Sequence, residues 1–162
     1  MRDMLFGIAF LLVYTISTVF QQDYNLNQRQ LEKVKFVCEE ASASASLYHS
    51  KTEYAEGREV FDQAEGKKAL EDQIKTLLYL DSSFIPTASS YWRDKANYKV
   101  YFFDDSNTTY PYVFVDPDTG YTRTITDPTV VVTINTGRPR YRLSFITLTD
   151  TIRSSSHEWI SR

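Results

Sequence analysis

His49 and His157 are the only candidates for a histidine base in this 162-residue chain. Neither stands in a nucleophile or metal-binding motif such as GxSxG or HExxH. His49 follows Tyr48 in a helical segment, where we expect it to be solvated. His157 stands in the run Ser-Ser-Ser-His-Glu, and neighbours in sequence do not hold the geometry of a catalytic triad. We therefore predict that the protein is not an enzyme.

Two turns rich in aspartate could bind a metal ion. Asp104 and Asp105 form one pair, and Asp116 and Asp118 form the other. Carboxylates from both turns could bind calcium if the turns met in space. The spaced ligands and terminal glutamate of a calcium-binding loop are missing, and aspartate is a common turn residue. We expect ordinary turns here, and no metal ion or cofactor.

The remaining reactive or modifiable positions limit the possible chemistry. Cys38 is the single cysteine, so an intramolecular disulfide and a cysteine-only zinc site are both excluded. The sequence around Asn107 matches a glycosylation sequon, although it equally fits a plain turn. The net charge of −3 indicates no dominant basic patch, so nucleic acid is not an expected partner.

The segment from Met4 to Phe20 contains no charged residue and organises the rest of the chain. As a helix it would extend about 25 Å, enough to cross a bilayer core with slight thinning. A cleaved signal peptide and a buried core helix are the alternatives. Only Arg2 precedes the segment as a basic residue, and no small-x-small cleavage site follows it. We expect residues 1–20 to be an uncleaved anchor in membrane lipid, with a single pass and the head extracytoplasmic.

A second pattern, with spacings of three and four, follows the apolar segment. It predicts one amphipathic helix over residues 21–56, continuous with the anchor. Roughly fifty residues would give about 75 Å of helix, too long for one small domain to cover. We therefore expect this surface, the assembly stripe, to contact other subunits. The stripe consists of Tyr24, Leu31, Val34, Cys38, Ala41, Ala45 and Tyr48, and Asn27 completes the spacing.

The run ASASAS at residues 41–46 lies within this predicted helix. Its small side chains would let another backbone approach closely, as in packed helices. A flexible low-complexity linker is the alternative. Helical patterns on both sides of the run favour the helix.

The remainder of the chain predicts an α+β head over residues 57–150, followed by a polar tail over residues 151–162. Residues 67–81 form an amphipathic helix with Leu70, Ile74, Leu77 and Leu78 on one face, expected to pack on the sheet. Short strands joined by tight turns indicate an antiparallel meander. The five predicted strands are residues 98–103, 110–115, 121–126, 129–136 and 141–148.

An apolar N-terminal helix, an amphipathic continuation and a small antiparallel sheet form a layout that resembles type IV pilins and pseudopilins. The Ala/Ser-rich helix, second helix and strands are most similar to TadE-like pilus-assembly proteins. In this class a glycine-ended leader precedes the apolar segment, with glutamate five residues past the cut. Here Leu12 is the fifth residue after Gly7.

The resemblance implies a structural subunit of a surface filament (a fimbrium) or an envelope assembly system, packing through its N-terminal helix against identical or related subunits. A monomeric, membrane-anchored extracytoplasmic binding module is the alternative. Burial of the assembly stripe distinguishes the two hypotheses. A stripe left bare by the chain's own fold favours assembly, and a stripe covered by the head favours the module.

Overall fold

A computed structural model describes residues 2–143 and 149–159 and confirms the α+β class. The elements are helices α1 (Arg2–Ser46), α2 (Lys51–Ala55) and α3 (Gln63–Leu78), and strands β1 (Asn97–Phe103), β2 (Tyr112–Val115), β3 (Thr122–Ile125), β4 (Thr129–Gly137) and β5 (Thr151–Glu158). The predicted strand over residues 141–148 is not found at residues 141–143, and its remainder lies outside the described residues.

Helix α1 contains 45 residues and is about 68 Å long. Its N-terminal part is long and apolar enough to cross a membrane, and none of that window is buried against the protein. Two hydroxyl groups in this part bond within the helix: Thr15 donates to the Leu11 carbonyl at 2.8 Å and Thr18 to the Tyr14 carbonyl at 2.9 Å. These two hydroxyls therefore need no partner from solvent.

Helix α1 ends at Ser46, so the prediction of one helix to residue 56 is wrong at its end. The ASASAS run is helical, as favoured, and the hydroxyls of Ser42, Ser44 and Ser46 each donate to the carbonyl three residues earlier. Such bonds compete with the helical backbone pattern and weaken the last turns. The chain then reverses, His49 pairs with Phe61, and the short α2 begins.

The five strands form two antiparallel sheets instead of one meander. The main sheet has the order β1-β4-β5, with Val132 opposite Val100 on one side and Ser155 on the other. Strands β2 and β3 form a separate hairpin. The predicted polar tail is also corrected, because Thr151–Glu158 is the third strand of the main sheet.

Strand β4 is buried on both faces because the main sheet lies between two layers. Val130, Val132 and Ile134 face the helices, where they join the core formed with α1 and α3. Val131 faces the other way and packs with Phe114 of the hairpin. A strand covered on both faces reads as a nearly continuous apolar run, which explains the sequence VVV within β4.

The second half of α1 lies directly on the sheet, and α3 packs beside it. Leu70, Ile74 and Leu78 of α3 are buried as predicted, although they meet α1 as well as side chains of the sheet. The two helices approach closely at Gly66, where an added Cβ would lie 2.9 Å from the Ala45 carbonyl oxygen. The folded head therefore includes part of α1 and is not confined to residues 57–150.

Candidate functional site

The structure separates the assembly stripe into a buried and an exposed part. Val34, Cys38, Ala41 and Ala45 have no exposed surface, because the main sheet and α3 cover them. Leu31 and Asn27 are partly buried. Tyr24 and Tyr48, at the two ends, remain 50% and 41% exposed. The centre of the stripe thus faces the head of its own chain.

Cys38 lies at the centre of this buried contact. Its Sγ lies 3.3 Å from the carbonyl oxygen of Arg153, to which the thiol donates a hydrogen bond. Burial raises the pKa of the thiol to about 12, so the thiol stays protonated at neutral pH. A protonated, enclosed thiol is a poor nucleophile and a poor metal ligand. Cys38 therefore has a packing role in the folded chain.

His49 is not the solvated helix residue that the sequence suggested. It pairs with Phe61 and lies between two aromatic rings, with centroid distances of 5.1 Å to Tyr54 and 4.9 Å to Trp159. His157 lies in β5 opposite Val130. Its sequence neighbours point to the opposite face of that strand, so the three side chains of Ser156, His157 and Glu158 do not converge.

Asp104 uses its carboxylate to tie the end of β1 to the segment before α3. One oxygen accepts from the Phe61 backbone N–H at 3.1 Å, and the other accepts from the Ser106 backbone at 3.0 Å and its hydroxyl at 2.6 Å. The neighbouring Asp105 accepts from the Glu59 N–H at 2.7 Å. These bonds occupy the carboxylates with turn and backbone contacts.

Asp116 has the same role at the tip of the hairpin. It accepts from the backbone N–H groups of Asp118 and Thr119, both at 2.9 Å, and from the Thr133 hydroxyl at 2.6 Å. Burial alone would raise the pKa of this carboxyl group, but the Thr133 and turn hydrogen bonds outweigh it and hold the pKa below its ordinary value. Within residues 2–143 and 149–159, no three metal-ligating side chains form a group that could hold a metal ion.

The predicted sequon also belongs to a turn. The Asn107 side-chain N–H donates to the Phe102 carbonyl at 3.0 Å, while its oxygen accepts from the Asp104 N–H at 3.1 Å. Asn107 is exposed, but its amide nitrogen is already bonded in the fold.

Two adjoining cavities form a groove between the hairpin tip and the end of the main sheet at which β1 and β5 begin. Their volumes are about 340 Å³ and 470 Å³, and Asp118 and Ile152 line both. Volumes of this order suit a small ligand or one side of an extended ligand. The first cavity is lined mainly by polar residues, which are Asn97, Tyr98, Lys99, Asp118, Thr133 and Asn135, with Ile152 as the aliphatic member.

The charges of the groove neutralise each other. Lys99 Nζ lies 2.6 Å from the Asp118 carboxylate, and this hydrogen bond raises the pKa of Lys99. Asn135 donates to Asp150 at 3.3 Å and accepts from the Gly137 N–H at 2.8 Å. The groove therefore offers the amides of Asn97 and Asn135 and a paired cation and anion. This lining can hydrogen-bond a polar ligand without requiring a net charge on it.

Sequence reasoning did not identify this groove, because Asn97, Thr133 and Asn135 occur in strands without a motif. The polar residues Thr133 and Asn135 within the otherwise apolar β4 were the feature of the sequence that could have indicated the groove. The chain matches no protein family model, and neither a curated protein nor a solved structure is significantly similar to it.

Proposed function

We propose that the chain is a membrane-anchored extracytoplasmic binding module. The burial of Val34, Cys38 and Ala45 under the chain's own head supports this proposal. A stripe enclosed in one subunit cannot also join two subunits without unfolding the head. The assembly role that the stripe suggested in the sequence is therefore the less favoured hypothesis.

The continuity of α1 supports an uncleaved anchor over a cleaved signal peptide. The helix runs through Phe20 and Gln21 without a break, and its second half forms part of the head's core. The anchor and the head thus share one unbroken helix. With the N-terminus on the cytoplasmic side, as we propose, the head would lie outside the cytoplasm and next to the membrane surface.

The groove beneath the hairpin tip is the binding surface in this proposal. Its amides and neutralised charge pair favour an uncharged, hydroxyl-rich ligand such as an oligosaccharide. Titration of the full-length protein with a neutral oligosaccharide should shift NMR signals around Asn97. The Asn97→Leu variant should lose the response, whereas Gln73→Leu on the exposed face of α3 should keep it. Equal responses of the two variants would exclude the groove.

A pilin-like or pseudopilin-like subunit is the second candidate. It is favoured by the exposure of the apolar part of α1, where Phe10 is 83% exposed and Leu12 is 55% exposed. In this version, copies of the chain would pack through the segment from Met4 to Phe20 in a filament or envelope assembly. The buried part of the stripe would have no role in that contact.

Cysteine cross-linking separates the two candidates. Because Cys38 is enclosed, the wild-type chain supplies a cross-linking background near zero, and Phe10→Cys introduces one accessible thiol. The module predicts no specific cross-linked dimer in native membranes at natural expression. Because one accessible thiol per chain can link only two chains, a dimer from Phe10→Cys that is absent from the wild type would replace the module with the pilin-like subunit.

Membrane retention tests the anchor itself. The full-length protein should remain in the membrane fraction after washes with high salt and with alkaline carbonate, and detergent should release it. Sequencing of the mature N-terminus should not find a new start near Gln21. Release of the head by salt, or a start near Gln21, would contradict the anchor.

A further inference from the structure

Strand β1 is an open edge of the main sheet. It pairs with β4 over seven consecutive residues, and within the described residues no strand pairs with its other side. Each residue of β1 is at least partly exposed, whereas β4 beside it is buried along almost its whole length. We call the side of residues 97–103 that points away from β4 the outer edge.

Two hydrogen bonds mark the ends of the outer edge. Just before β1, the Ala96 N–H donates to the Phe84 carbonyl at 3.0 Å. Near the end of β1, the Phe102 carbonyl accepts from the Asn107 side-chain amide at 3.0 Å. Neither Phe84 nor Asn107 belongs to β4, so Ala96 and Phe102 point their backbone groups away from that strand.

The middle of the outer edge has no partner. Backbone groups of alternate residues in a strand point to the same side, so Tyr98 and Val100 point outwards like the two end residues. Within residues 2–143 and 149–159, no hydrogen bond outside the β1–β4 pair reaches the N–H or C=O groups of Tyr98 and Val100. A row of unpaired backbone groups is a template for another strand.

The outer edge also lacks the features that block pairing at an edge strand. Residues 97–103 contain no proline, and their register with β4 is continuous. The one charged residue of β1, Lys99, is neutralised by Asp118 at 2.6 Å. On the helix side, the Glu71 carboxylate beside Tyr98 pairs with Lys75 at 3.1 Å. The outer edge is thus open to another strand, and its neutralised surroundings favour a strand without charge.

Aromatic side chains and a cavity accompany the outer edge. Four of the seven residues of β1 are aromatic. Strand β2 packs over β1, with the ring centroids of Tyr101 and Phe114 4.9 Å apart. The cavity, of about 360 Å³, lies at the C-terminal end of β1 and is lined by Phe102, Phe103, Asn107, Thr108, Thr109 and Tyr112. A strand paired with β1 could place one large apolar side chain in this cavity.

The direction of α1 argues against a second copy of the chain on the outer edge, given the anchor proposed above. Two identical edges that pair about a two-fold axis run antiparallel, and the axis is perpendicular to the sheet. Because α1 lies on the sheet, this axis would reverse its direction. The two anchor segments would then point in opposite directions, which two chains in one membrane cannot adopt.

We propose that the outer edge binds an extended, uncharged segment of a partner protein, which adds a fourth strand to the main sheet. Hydrogen bonds to Tyr98 and Val100 supply affinity, and a large apolar side chain in the cavity supplies specificity, as in other complexes formed by strand addition. This surface follows one strand along its edge, whereas the groove proposed for a neutral oligosaccharide crosses the face of the sheet. The choice of a partner protein over a second copy rests on the proposed anchor.

The probe is a peptide of sequence TVVVTINT, a copy of residues 129–136, which has no charge and already pairs with the inner side of β1. NMR follows hydrogen exchange of the full-length protein in micelles, with and without the peptide. In the free protein, the outward amides of Tyr98 and Val100 should exchange at least about tenfold faster than those of Lys99 and Tyr101, which face β4. Saturation with the peptide should remove this difference.

Two N-methylated versions of the peptide test whether it binds as a strand. One carries N-methyl groups at the positions copied from Val130, Val132 and Ile134, and the other at those copied from Val131, Thr133 and Asn135. Only one of these sets can face the outer edge. One version should therefore bind at least about tenfold more weakly, while the other keeps most of the affinity.

Two variants of the chain test the backbone and the cavity separately. Val100→Pro removes one outward N–H, and proline is tolerated in edge strands. Thr109→Trp fills the cavity from an exposed position. Each should weaken peptide binding about tenfold. Thr52→Trp, at an exposed position in α2, is the matched control and should bind like the wild type. Continued protection of Cys38 from thiol reagents shows that each variant is folded.

Equal exchange of outward and inward amides in the free protein would overturn the proposal, because the outer edge would already be covered. Absence of peptide binding, or equal effects of the two N-methyl patterns, would overturn it as well. Protection of Val100 that rises with protein concentration would make a second copy the occupant. A neutral oligosaccharide should leave the Val100 amide unprotected, so failure of the groove and failure of the outer edge are distinguishable.

Discussion

Replacing Gly66 by alanine should destabilise the head, although alanine is the better helix former. The added Cβ would lie 2.9 Å from the Ala45 carbonyl oxygen and 3.3 Å from the Phe102 ring. The ring can shift, but the Ala45 oxygen belongs to the backbone of a helix packed on the sheet. The two helices must therefore move apart.

The magnitude follows from two opposing contributions. Glycine to alanine within a helix contributes about 0.5–1 kcal/mol of stability. Overpacking a tight contact costs about 1–3 kcal/mol. We expect a net loss of about 1–2 kcal/mol, and at about 2–4 °C per kcal/mol for a chain of this size the Tm should fall by about 2–8 °C.

Thermal unfolding of the full-length protein in detergent provides the measurement. Near-ultraviolet circular dichroism and exposure of Cys38 report on the head, whereas the anchor helix would mask changes in total helicity. Thr76→Ala is the matched control, because Thr76 is exposed on the same helix and its replacement gains propensity without a clash. If Gly66→Ala has the same Tm as Thr76→Ala or a higher one, the close helix contact is wrong.

Two further predictions concern the buried half of α1. Burial raises the pKa of Cys38 to about 12 in the folded state. The protonated thiol therefore makes its full contribution to the free energy of unfolding below about pH 9. This contribution is lost between about pH 9 and 12, with a slope of up to about 1.4 kcal/mol per pH unit. Cys38→Ala should show a shallower alkaline loss of stability in denaturant titrations, and identical slopes would contradict the burial. A fragment of residues 57–162 should not fold, because it lacks Val34 and its neighbours in the core. A fragment of residues 21–162 contains them and should fold. Well-dispersed NMR spectra of the shorter fragment would disprove this account.

The apolar patterns predicted the elements that hydrophobic burial stabilises. The alternation over residues 129–136 became β4, and the face containing Leu70 and Ile74 became the buried side of α3. The stripe around Val34 and Cys38 was also predicted to be a contact surface, but with other subunits and not with the chain's own head. Periodicity shows which side chains leave water but not which surface covers them.

Strand β5 could not be found in this way because its stability has another source. Its sequence, TIRSSSHE, has a single aliphatic residue and no apolar alternation. It is held by backbone pairing with β4 and by side-chain bonds to the hairpin: Ser154 to Thr119 at 2.8 Å, Ser156 to Tyr121 at 2.9 Å. Polar contacts between segments distant in sequence leave no periodic signal. For the same reason the groove, lined from three strands and a turn, appears only in the folded chain.

The contact between Cys38 and Arg153 joins segments 115 residues apart and has a consequence for biosynthesis. The helix that forms the floor of the core is made first, and the strand β5 that closes over it is made last. The head therefore cannot complete its core until translation has delivered the residues of β5. During that interval the apolar surface around Val34 is exposed to solvent. A nascent chain of this kind needs either rapid synthesis or a chaperone to protect that surface.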